Sequence, residues 1–277
     1  MSTATNEQAA TASRAAVEFA RLVGKLKRTP RTGWVRRGVP RYESVADHSW
    51  SVAVLALLVW QPDNASTTTS SSIDVTKCMA LAIVHDLAEA IVGDIAPDDN
   101  ISREKKQQLE HDAMETIVAV LQKATINNND DGNDDSPPTT SKASRLLADL
   151  FHEYETRTSQ EAIAVKDLDL LDMIIQADEY EQLFGTDLSE FFQGTPPSRF
   201  RTQALQSIAQ QVHDRREERL KARATEKVSS SRGLSPQDAA FAKEYAQASK
   251  LSASDIESVV KALRASEASS LPPNLNS

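Results

Sequence analysis

Apolar positions recur along this chain with helical spacing. Between Ser13 and Lys27 they fall at Ala16, Phe19, Ala20, Val23 and Leu26, which predicts a helix with one buried face. Pro30 ends it, and residues 28–42, with two prolines and two glycines, predict a loop. Glu43 to Trp60 is apolar nearly all round, at Val45, Val52, Leu55 and Val59, as in a central helix. Asp74 to Val92 predicts another apolar helix, with Asp74 as N-cap and Gly93 just beyond its end. A charged amphipathic helix over 102–124 and helices over 143–157, 159–185 and 199–225 complete the set. The 159–185 helix takes Ile163, Val165, Leu168, Leu171, Ile174 and Ile175 as its core face. No stretch alternates as a strand would and no repeat is present, so the predicted fold is all-α.

The polar stretches set the domain plan. The Ser/Thr-rich run near 61–73 and the Asn/Asp-rich run near 125–142 read as inserts. Residues 1–12 are expected to be disordered, residues 13–225 to form one domain, and residues 226–277 to be a linker and C-terminal extension. That extension carries candidate short helices at 236–249 and 255–265, the second opened by a Ser254/Glu257 capping box.

Composition narrows the function. Aromatic residues make up 5% of the 277 and there are 8 glycines, which favours helices over a turn-rich sheet protein. A net charge of −9 argues against a nucleic-acid binder, whose affinity depends on neutralised phosphates. The one cysteine, Cys78, allows no internal disulfide and fits a reducing, cytoplasmic setting. No window is apolar for long enough to predict a membrane span. Against the acidic background, Lys25 to Tyr42 holds seven Lys and Arg residues and no acid, a local site for a small phosphate.

Chemistry is suggested by polar residues where the pattern predicts core. An ionised carboxylate in a dry helix must be paired, hydrogen-bonded or metal-bound. The segment "CMALAIVHDLAEAIVGD" (78–94) sets His85, Asp86 and Glu89 into an apolar helix, with Glu89 one turn from the other two. Asp47 and His48 sit in the first turns of the Glu43–Trp60 helix, and Asp167, Asp169 and Asp172 precede an apolar run. Three helices thus offer imidazole and carboxylate donors, a set that suits divalent Mn, Co, Fe or Zn. Taken singly, Asp167 and Asp172 read as surface or capping carboxylates, and His111 and His213 as solvated.

The order His48, His85–Asp86, Asp169 resembles the signature of the HD superfamily of metal-dependent phosphohydrolases. The blocks "KLKRTPRTGWVRRGVPRYESVADHS", "ALAIVHDLAEAIVGDIAP" and "KDLDLLDMIIQADEYE" are similar to the HD domain-containing protein 2 family, relatives of 5′-deoxynucleotidases, over roughly 14–222. The resemblance implies an all-α HD bundle with a metal site in its core, commonly a homodimer. It implies one cation on His48, His85, Asp86 and Asp169, the last chosen over Asp172 by the family's K-x-x-D pattern at Lys166. It further implies a second cation site at Glu89, Asp94 and the Ile95 carbonyl. The cation would be Mn²⁺, Co²⁺ or Mg²⁺, with Fe²⁺ or Zn²⁺ also compatible. The bacterial enzymes carry adjacent Arg and Trp before the first His, whereas here Gly33 precedes Trp34 and Arg31 is the nearest upstream arginine.

The implied reaction is hydrolysis of deoxyribonucleoside 5′-monophosphates, a phosphoric monoester hydrolase. Glu89 and Asp94 would carry the proton and water chemistry, with Arg31, Trp34 and Arg36 on the substrate. The expected partner is a small nucleotide, not nucleic acid and not a membrane. Two alternatives stand beside this reading. One is an HD phosphohydrolase acting on a dNTP, a cyclic nucleotide or a (p)ppGpp-like substrate. The other is a non-catalytic, metal-stabilised interaction module using the C-terminal extension.

Overall fold

The computed structural model describes residues 3–59, 73–96, 99–125 and 141–229. Its helices are α1 (Thr3–Val23), α2 (Thr32–Arg36), α3 (Val45–Leu55), α4 (Val75–Val84), α5 (Glu89–Val92), α6 (Arg103–Thr125), α7 (Lys142–Thr156), α8 (Gln160–Phe184), α9 (Ser189–Gly194) and α10 (Gln203–Ser229). Short 3₁₀ turns follow α1 and α3 and precede α10. Among the described residues there is no strand, only an isolated bridge between Pro30 and Ser44. The fold is all-α. None of these helices is long and apolar enough to cross a membrane.

The chain divides into two compact units. The first holds Met1–Gly33 and Tyr42–Asp172, the second Trp34–Arg41 and Met173–Ser277. In the first, α1 packs on α6, α6 on α7, α4 on α7, and α3 on α4. Leu26, Val45, Val84, Leu87, Met114, Ile117, Leu147 and Phe151 form its buried cluster. Ser44 and Asp47 start α3 with a reciprocal capping box, so Asp47 is spent on the helix end. Asp74 caps α4 by accepting the Lys77 amide at 3.1 Å.

The second unit holds a buried polar clasp. Glu181, 3% exposed, accepts the Leu188 amide at 2.9 Å and two N–H groups of Arg216 at 2.7 and 2.8 Å. Arg219 reaches both Glu181, at 3.0 Å, and Asp178. Arg216 also lies over the Phe192 ring, 4.3 Å from its centroid. In the same unit the Trp34 ring is 2% exposed and packs edge-on against Tyr180 and tilted against Phe191.

Several expectations change. Residues 1–12 were expected to be disordered, yet α1 starts at Thr3. Alanine is the strongest helix former, and this run carries the helix upstream although residues 6–11 are exposed. The buried face of α1 runs through Ala15, Phe19 and Leu22 and continues to Leu26 in the following 3₁₀ turn, with Ala16 and Ala20 in solvent. Residues 28–42 hold the short α2 as well as loop. His213 is half-buried, not solvated: its Nε2–H donates to the Thr195 carbonyl at 3.1 Å. Helix α10 continues past the expected end at 225 to Ser229. The linker and helices expected beyond it, and most of both inserts, lie outside the described residues.

Candidate metal centre

The site lies in the first unit and is built from the start of α3, the end of α4 and the middle of α8. His48 is fully buried. Its Nδ1 lies 2.7 Å from Asp172 Oδ2, and Asp172 Oδ1 in turn accepts the Ser51 hydroxyl. A carboxylate only accepts, so His48 Nδ1 carries the proton and Nε2 is the nitrogen left for the site. Nε2 lies 3.1 Å from Asp169 Oδ1 and 3.8 Å from Asp86 Oδ2. Asp172 therefore stands behind the imidazole, as carboxylates commonly do behind metal-bound histidines.

His85 is arranged in the same way by its own turn. Its Nδ1 lies 2.7 Å from the Ala82 carbonyl, so Nδ1 donates, and its Nε2 is 3.1 Å from Asp86 Oδ2. An uninterrupted α-helix would give the Ala82 carbonyl to the Asp86 amide. The side chain takes that acceptor, and the helix expected to run to Val92 stops at Val84. The chain tightens into three-residue turns, with Leu87 N–H on Val84, Glu89 N–H on Asp86 and Ala90 N–H on Leu87. Three residues per turn stacks Glu89 over Asp86. Gly93, at φ +76°, then ends α5 in a conformation that a side chain disfavours.

The turn after α5 is tied to the basic loop. Asp94 Oδ2 accepts the Thr32 amide at 2.7 Å, and the Asp94 carbonyl accepts the Thr32 hydroxyl at 2.6 Å. This clasp places neighbouring Arg31 beside Asp86, Nη1 to Oδ2 3.2 Å. Lys166 donates to Asp169 Oδ2 at 2.6 Å, and Lys106 donates to the Ile95 carbonyl at 2.9 Å. The Tyr154 ring flanks His85 edge-on, 5.1 Å between centroids.

The charges at the site are strongly perturbed. Burial works to raise the Asp86 pKa, and His85, Arg31 and His48 overcome it, holding the carboxylate below its usual range. Asp169 is likewise lowered, burial being outweighed by Lys166, His48 and His85. Glu89 goes the other way: burial, then Asp86 and Asp94, push it well above an ordinary carboxyl. Burial and Arg31 press His48 down, but Asp169 and Asp172 prevail and raise it to about 9. For Lys106, burial is offset by Glu110, Glu89, Asp86 and Asp94, which raise its pKa.

A metal ion fits this donor set. His48 Nε2, His85 Nε2 and Glu89 Oε2 are buried acceptor-type atoms without a hydrogen-bond partner. The donor atoms of His48, His85 and Asp169 lie within 4.8 Å of one another, a His/His/Asp triad able to bind a divalent cation. A second convergence, of Glu43, His48 and Asp172, includes the carboxylate that already accepts the His48 Nδ1 proton.

The sequence-predicted residues are thus divided. His48, His85, Asp86, Asp169, Glu89, Asp94, Ile95 and Arg31 belong to the first unit, and Trp34 and Arg36 to the second. Trp34 anchors its loop through its ring contacts, and Arg36 is exposed at the end of α2. Asp167 and Asp172, expected as surface or capping carboxylates, are 6% and 4% exposed. Sequence reasoning passed over the support given by Asp172 and Ser51, the Thr32–Asp94 clasp and Lys106. Only Asp172 carries a signal, because it lies one turn from Asp169.

Residues 23–205 match the family model described as HD domain. The chain is 42% identical to 5′-deoxynucleotidase HDDC2 of Danio rerio over 181 residues, 65% of this chain and 77% of the relative. It is 42% identical to 5′-deoxynucleotidase HDDC2 of Homo sapiens over 171 residues, 62% of this chain and 71% of the relative. Among solved structures, a conserved hypothetical protein from Pyrococcus furiosus is similar at 34% identity with a TM-score of 0.52, covering 72% of this chain and 99% of that one.

Proposed function

The chain belongs to the HD domain family and within it to the HDDC2 group, and from that premise we propose that it is a metal-dependent 5′-deoxynucleotidase. It removes the 5′-phosphate from deoxyribonucleoside 5′-monophosphates, the activity its relatives are named for. The observation that carries the reading is the pair of buried, unpartnered imidazole Nε2 atoms converging with Asp169.

In this reading His48, His85, Asp86 and Asp169 hold one divalent cation, Mn²⁺, Co²⁺ or Mg²⁺, with Fe²⁺ and Zn²⁺ also suited to the donors. When bound, the cation acidifies a water and neutralises charge on the phosphoryl oxygens. The chain's own residues do the rest. Asp172 fixes the tautomer of His48, and Ala82 that of His85. Glu89, a carboxyl raised well above its ordinary range by burial and its acidic neighbours, takes the proton of the attacking water and returns it to the leaving 5′-oxygen. Arg31, held by its loop beside Asp86, binds the phosphate. Asp94 and the Ile95 carbonyl orient a second cation or a water. Trp34, 2% exposed, anchors its own loop by packing on Tyr180 and Phe191. The reading includes a small-molecule substrate, a homodimer and a cytoplasmic setting, the last supported by a lone, buried thiol.

The test is phosphate release from the four deoxymonophosphates and the matching ribonucleotides by chelator-stripped protein, resupplied in turn with Mn²⁺, Co²⁺, Mg²⁺ and Zn²⁺. Metal-dependent release confined to the deoxymonophosphates is expected. Pyrophosphate or tripolyphosphate as product, or no release with any ion from folded protein, would refute it. Glu89→Gln is expected to lower turnover by about 10²–10⁴-fold with the ion of the His48–His85–Asp169 triad retained.

A further inference from the structure

We propose that Lys106 is a tethered cation that holds the place of a second divalent ion beside Glu89, Asp94 and the Ile95 carbonyl, and yields that place by swinging to Glu110. The proposal rests on the metal-centre part of the preceding reading and not on its substrate.

The Ile95 carbonyl follows directly on Asp94, in the turn that Gly93 opens after the Glu89–Val92 helix. It is a hard oxygen donor, and its partner is an ammonium at 2.9 Å. Glu89, 4% exposed, keeps Oε2 buried without a hydrogen-bond partner. One oxygen of Asp94 is taken by the Thr32 amide. The wall therefore combines a buried carboxyl oxygen with spare capacity and a carbonyl already aimed at a positive charge. All-oxygen walls of this kind suit Mg²⁺ or Mn²⁺.

The lysine is built to leave. Its side chain is 35% exposed, so its head group is not locked in the core. Four methylenes let an ammonium move where a guanidinium fork would be held. Glu110, one helical turn on, already draws the ammonium from the other side, with Oε1 3.5 Å from Nζ, and can keep it when the carbonyl is given up. An ammonium and a divalent ion on the same carbonyl repel each other at contact range. Each therefore excludes the other, and Lys106 sets the affinity of the second ion without touching the His48–His85–Asp169 triad.

The experiment is calorimetric titration of the full-length, chelator-stripped chain with MnCl₂, with free Mn²⁺ counted by electron paramagnetic resonance. Wild type is expected to bind one ion tightly and a second weakly. Lys106→Met should leave the first affinity unchanged and tighten the second by about tenfold, within the range usual for coupled sites. Glu110→Gln, which removes the outer resting place, should weaken the second. Lys106→Gln gives the same reading as Lys106→Met should the latter prove unstable. A second affinity that is unchanged or lowered in the lysine variants overturns the proposal, as does a single ion bound in all forms. Failure of the deoxynucleotidase reading appears separately, as absent phosphate release from wild type, while the Mn²⁺ counts still decide the role of Lys106.

Discussion

Two buried carboxylate clusters show opposite ways of placing charge in a helical core. Around Glu181, two arginines, a backbone amide and a second acid close on one another. One buried atom there lacks a partner, Arg219 Nε, and it is a donor. Around His48 and His85 the unpartnered atoms are two imidazole nitrogens and a carboxylate oxygen, all suited to giving electron pairs. Burying a polar group is costly unless something meets it. The first cluster is met from within the chain and is structural. The second fixes the outer imidazole protons on Asp172 and the Ala82 carbonyl and turns both inner nitrogens to one point, where a cation can take the place of the proton that His48 otherwise holds.

The sharpest way to break this contrast is His85→Ala. It should abolish retention of Mn²⁺ through dialysis and metal-dependent phosphate release, with helix content preserved by circular dichroism. Glu181→Ala should do the reverse. Two arginines lose their buried acceptor, so stability should fall by about 3–5 kcal/mol in urea denaturation, while Mn²⁺ per chain stays at the wild-type value. Asp172→Asn tests the support behind His48. Losing the charge that fixes the ring should weaken Mn²⁺ binding by about 10–100-fold, read by calorimetry, with a smaller change in stability.

The mildest test is pH. In the metal-free protein His48 is raised to about 9, so below that pH it carries a second proton, on Nε2. Binding an ion must displace that proton. Mn²⁺ affinity should therefore rise by about tenfold per pH unit toward pH 9 and level off above it. Calorimetry in buffers of different ionisation enthalpy should show proton release. A flat profile between pH 6 and 8 would mean that His48 is already neutral in the free protein.

How much of this was legible in the chain follows the same divide. His48, His85 and Asp86 stood out because each is set into an apolar helix, and charge in such a place needs a reason, whereas Asp169 was separated from Asp167 and Asp172 only by the resemblance and its K-x-x-D pattern at Lys166. The structure brings His48, His85 and Asp169 within ligand reach of one another. What stayed hidden depends on partners distant in the chain. Asp172 looked like a capping residue because its partner His48 is 124 positions away. Asp47 looked like a donor, although its work is local, in the capping box of α3. Lys106 sits in the charged run "REKKQQLE", where nothing distinguishes one lysine from the next. The break between α4 and α5 was invisible because a side chain competing for a backbone carbonyl leaves no mark on apolar spacing. The clasp at Glu181 was missed for a different reason: its arginines lie in a helix that reads as charged throughout.

The hydrogen bond from His85 to Ala82 spans three residues, whereas His48 is oriented only once α8 arrives from far along the chain. Half of the donor set is thus ready as soon as one turn of chain forms, and the other half waits for the whole unit to close. An ion captured by the finished site ties these two halves together and acts as a removable cross-link. Clips that close long loops restrict the unfolded chain most. Loading the site is therefore a staple on the fold as well as a step toward chemistry, and a chelator acts on this protein as a reducing agent acts on a disulfide-bridged one.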